Sequence, residues 1–64
     1  MIDRDIWITA NEMMKQFGED AAVIAATRAD AMRDLDDTAG YSVWKRVLEA
    51  IAELKSTQPD GLLN

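Results

Sequence analysis

No cysteine and no histidine occur in this 64-residue chain, and proline occurs once. Without cysteine there is no disulfide to staple the fold and no thiolate nucleophile. Without histidine the usual imidazole base is missing, and the two absences together remove the ligands of an ordinary zinc site. Cations are scarce: seven Lys and Arg stand against twelve Asp and Glu, for a net charge of -5. Neutralising phosphates takes clustered Lys and Arg, so direct nucleic-acid binding is not expected, and an anionic membrane surface is disfavoured for the same reason. No stretch approaches the roughly 20 apolar residues of a membrane span. The opening Asp3-Arg4-Asp5 is acidic with no apolar run behind it, which does not read as a signal peptide. The expected compartment is the cytoplasm, with which a cysteine-free chain is compatible.

What is present is an alternation of apolar and charged residues, 48% hydrophobic and 30% charged. The length allows one domain, expected over residues 1–58, with a short tail at 59–64 after Pro59 and Gly61. Core burial in so short a chain supplies about 3–5 kcal/mol. Stability therefore calls for well-packed helices, a partner or a second copy.

Periodicity predicts an all-α fold, a compact three-helix bundle with helices at about 3–17, 20–35 and 38–56. Ile6, Trp7, Ala10, Met13, Met14 and Phe17 recur at helical spacing, and Gly18 follows as a left-handed stop. The second segment is rich in alanine, the best helix former, and Ala21, Ile24, Ala25, Ala29, Met32 and Leu35 make its apolar face. Asp34, Asp36 and Asp37 suit the turn into the third helix, with Asp37 or Thr38 as N-cap. Tyr41, Trp44, Val47, Leu48, Ile51 and Leu54 line one side of that helix, and Lys45 with Glu49 gives one modest ion pair on the other. All four aromatics fall on stripes expected to face the core.

Chemistry-bearing constellations are few. Counted as a calcium loop, Asp34 to Lys45 lacks the glycine at position 6 and has lysine where the closing glutamate belongs. No metal site, cofactor or catalytic set is expected, and a fold this small leaves little room for a substrate pocket of about 300 Å³. The expectation is a non-enzymatic protein.

Three residues suggest contacts with a partner. Arg28 falls within the apolar stripe of the second helix; its stem can cover apolar surface while its head reaches water or an acid such as Glu49 or Asp5, or it can pair with a partner's carboxylate. Ile8 and Val23 break the pattern in the opposite sense, as aliphatics on polar faces.

The segments Asp3-Arg4-Asp5-Ile6-Trp7, Phe17-Gly18-Glu19-Asp20-Ala21-Ala22, Arg28-Ala29-Asp30 and Trp44-Lys45-Arg46-Val47-Leu48-Glu49-Ala50-Ile51 resemble a family of short bacterial all-helical proteins. The resemblance spans about Asp3 to Leu54 and implies a small helical fold, with no established activity, cofactor or catalytic residue to carry over. The second and third segments are also loosely similar to a tetratricopeptide-type hairpin, though one hairpin is not a repeat array.

Two functions follow as expectations. One is a protein–protein interaction module, an adaptor, regulator or assembly subunit that binds another protein or itself as a homodimer, with Ile8, Val23 and Arg28 as contacts. The other is an acidic inhibitor or nucleic-acid mimic that occupies a basic groove in the manner of phage anti-defence proteins, with Asp30, Asp34, Asp36 and Asp37 as its surface. Mimicry by charge weakens steeply with salt, whereas an apolar contact does not.

Overall fold

Acids at the start and a base at the end set the first helix in the favourable sense of its dipole: Asp3 and Asp5 lie in its first turn and Lys15 in its last. The computed structural model describes residues 3–56. Helix α1 spans Asp3–Phe17, a single 3-10 turn spans Gly18–Asp20, α2 spans Ala21–Asp34 and α3 spans Thr38–Ser56. No strand occurs among the described residues. The expected tail at 59–64 lies outside the described residues.

Gly18 stands at φ +55, the left-handed conformation that glycine adopts without a Cβ penalty. The chain then enters the 3-10 turn and α2 directly, so residues 3–34 form one unbroken helical run bent at Gly18. This departs from the expected bundle of three separate helices. Two helical runs are present, 3–34 and 38–56, and α3 packs along α2 and also on α1, whereas α1 and α2 share few contacts. A 3-10 turn with no connecting loop gives the chain no slack for laying α1 fully alongside α2.

The turn from α2 to α3 is built from backbone hydrogen bonds. Asp37 N–H donates to the Met32 carbonyl and Asp36 N–H to the Arg33 carbonyl, with Asp36 left-handed at φ 58. This is the Schellman pattern with aspartate where glycine is usual. Asp37 then caps α3: its Oδ1 accepts from Gly40 N–H at 2.9 Å, and its carbonyl accepts from Tyr41 N–H at 2.9 Å. Leu35 was expected on the apolar face of the second helix; it lies beyond the last helical residue and is 72% exposed. A helical wheel cannot be extended through a residue whose backbone has left the helix.

The core is aliphatic and small. Ile6, Ala10 and Met13 of α1, Ala21, Ala25 and Ala29 of α2, and Val47, Ala50 and Ile51 of α3 are buried. Alanines four apart on α2 let its backbone come close to α3. A Cβ built at Gly40 would stand only 2.7 Å from Met32 Sδ. Four residues back along α2 and four forward along α3, Arg28 lies over Trp44, so the two helices run antiparallel in a fixed register. No aromatic joins the fully buried set: Phe17, Tyr41 and Trp44 are half-buried and Trp7 is 37% exposed. Phe17 and Trp44 do pack against the core, as expected, whereas Trp7 and Tyr41 do not join it, and the expectation is corrected for those two.

Candidate functional site

The first turns of α1 meet the second half of α3. There Asp3, Ile6 and Trp7 face Arg46, Glu49, Ala50 and Glu53 across an open cleft of about 240 Å³. Trp7 is a consequence of spacing: one residue after buried Ile6, it falls at the edge of the α1 stripe, so its ring forms a wall. Glu49 and Glu53 are one helical turn apart on the solvated flank of α3. Arg46 forms an ion pair with Asp3, which ties the start of α1 to the middle of α3.

The charges in the cleft do not balance. Asp3 and Arg46 satisfy one another, while Glu49 and Glu53 take no part in the ion pairs formed among the described residues, which join Lys15 to Glu12, Arg33 to Asp30 and Arg46 to Asp3. The Lys45–Glu49 pair expected from spacing is not among them. Like charges at i and i+4 disfavour a helix by about 0.2–0.5 kcal/mol. The cleft therefore combines an exposed indole with two uncompensated carboxylates.

A second, smaller cleft of about 170 Å³ lies at the α2–α3 turn, lined by Arg33, Asp36, Asp37, Thr38 and Tyr41. The four acids of the expected acidic surface, Asp30, Asp34, Asp36 and Asp37, are all exposed at this end of the molecule. Three of them are engaged locally. Asp30 lies 3.5 Å from Arg33, Asp36 holds the left-handed position and Asp37 caps α3.

Ile8 is 52% exposed and Val23 65% exposed, each on the outer side of its own helix. Neither lines either of these two clefts, and nor does Arg28. The Arg28 guanidinium carbon lies 5.0 Å from the centroid of the Trp44 ring, so its neighbour is an aromatic face rather than Glu49 or Asp5. Sequence spacing placed Arg28 in the apolar stripe but gave no sign of the ring opposite it. It also gave no sign of the α1–α3 cleft, because the Asp3–Arg46 pair joins residues 43 positions apart.

Among the described residues no group of three or more Asp, Glu, His or Cys is placed to hold a metal ion. No described helix is long and apolar enough to cross a membrane. No protein-family model, curated protein or solved structure matches the chain.

Proposed function

We propose that the protein is a non-enzymatic interaction module, acting in the cytoplasm as an adaptor, regulator or assembly subunit on another protein or on a second copy of itself. The observation that carries this reading is the placement of large apolar side chains. Trp7, Ile8, Val23 and Leu35 stand at 37–72% exposure while five of the nine buried core residues are alanines. A chain that can bury so little gains from covering exposed apolar area with a partner. The two clefts, at about 240 and 170 Å³, are smaller than the roughly 300 Å³ and upward of small-molecule sites. That favours a protein partner over a substrate.

The acidic-mimic reading has one observation in its favour, the four exposed aspartates gathered at the α2–α3 end. Their capping and pairing roles give most of them a sufficient structural reason to be there. Capture of a partner by the full chain separates the two readings. The interaction module predicts that the same protein is recovered with Asp30→Asn/Asp34→Asn and lost with polar replacements at Trp7, Ile8 or Val23. The reverse pattern, with release by moderate salt, overturns it in favour of mimicry.

A further inference from the structure

Three features of the α1–α3 cleft are each locally unfavourable, and all three converge on one place. Trp7, a large apolar residue, is left 37% exposed. Glu49 and Glu53 set like charges one turn apart with no cation of the described chain paired to either. Glu53 also stands in the last turn of α3, where the helix dipole favours cations. Local rules are broken together where a site is built for something other than folding.

The chemistry of the cleft specifies its occupant. Asp3, Glu49 and Glu53 against Arg46 leave a surplus of two negative charges around an indole wall. A planar cation satisfies both parts at once: its face stacks on the indole, and its edge donates a forked pair of hydrogen bonds to a carboxylate. The fold already uses this pairing elsewhere, with Arg28 over Trp44 at 5.0 Å. Arg46, the one cation lining the cleft, is already paired with Asp3.

We propose that the cleft lined by Trp7, Glu49 and Glu53 receives an arginine side chain from a basic segment of a partner protein. The inference rests on the interaction-module reading and names the chemistry of its partner. One inserted guanidinium neutralises few charges, so binding falls only modestly with salt, unlike the steep loss of an acidic surface spread over a basic groove.

A displayed library of random peptides, selected on the folded full chain, tests it. Enriched peptides are expected to share an arginine, and replacing that arginine with alanine is expected to weaken binding at least tenfold. Glu49→Gln/Glu53→Gln is expected to weaken it to a similar degree. That double variant removes a repulsion, so it keeps the fold; Trp7→Ala, checked by circular dichroism, should do the same to binding. Lysine in place of the arginine is expected to bind less well, because it lacks the planar face and the fork. Enriched peptides without a cation, or arginine peptides indifferent to the double variant, overturn the cleft and leave the interaction module standing. Failure to enrich any peptide, together with failure of the full chain to capture any partner, overturns both.

Discussion

Asp36 and Asp37 are adjacent and chemically identical, yet they do opposite things to stability. Asp37 supplies the side-chain acceptor for Gly40 N–H, so it satisfies one of the donors that begin α3 unpaired. Asp37→Ala is expected to cost about 1 kcal/mol, read as a lower urea midpoint with unchanged slope. Asp36 sits at φ 58, where a Cβ costs roughly 1–2 kcal/mol and glycine is free of the penalty. Asp36→Gly is therefore expected to raise stability by about 1 kcal/mol, less whatever the more flexible unfolded chain takes back. Equal and same-signed changes in the two variants would contradict the turn described here. The sequence showed that this cluster of acids forms a turn, but not which one caps; that depends on where the backbone turns left-handed.

At the scale of the helix, α2 is the element whose composition decides the packing. Ala25 is fully buried and Ala21 and Ala29 nearly so, one turn to either side. Ala25→Leu is expected to lose about 1–3 kcal/mol, because extra methylenes must push α2 away from its neighbours. An unchanged melting temperature would mean that the helices are not in close approach there. The bounds of α1 and α3 were legible because caps and breakers are local, whereas the end of α2 at Asp34 and the continuation of the helical run through Gly18 were not. The exposure of Trp7 was not legible. A stripe of apolar residues gives a direction, and how much of a side chain is covered in that direction depends on the partner helix. Trp7 and Leu35 show the two ways such a reading fails, at the lateral edge of a stripe and past the end of a helix.

For the whole molecule, the account holds that surface features serve a partner and core features serve the fold, and that the two sets are separable. Ile8→Glu is expected to leave helicity and melting temperature unchanged, since Ile8 is 52% exposed on the outer side of α1. A large loss of stability would place Ile8 in a core contact that the fold does not contain. The connection between the start of α1 and the middle of α3 could not be read from the chain, since nothing local links Asp3 to Arg46. Of the residues singled out from the sequence, Arg28 is held within the fold by Trp44, while Ile8 and Val23 remain free on outer faces. The measurement that tests the central claim most directly is capture of a partner by the full chain, with the bound complex mapped by cross-linking. The account predicts a partner whose cross-links cluster around Trp7, Glu49 and Glu53 and whose capture is lost in Glu49→Gln/Glu53→Gln. Recovery of a chain that is alone and also monomeric by sedimentation, or a partner whose cross-links gather on Asp30, Asp34 and Asp36, would contradict it.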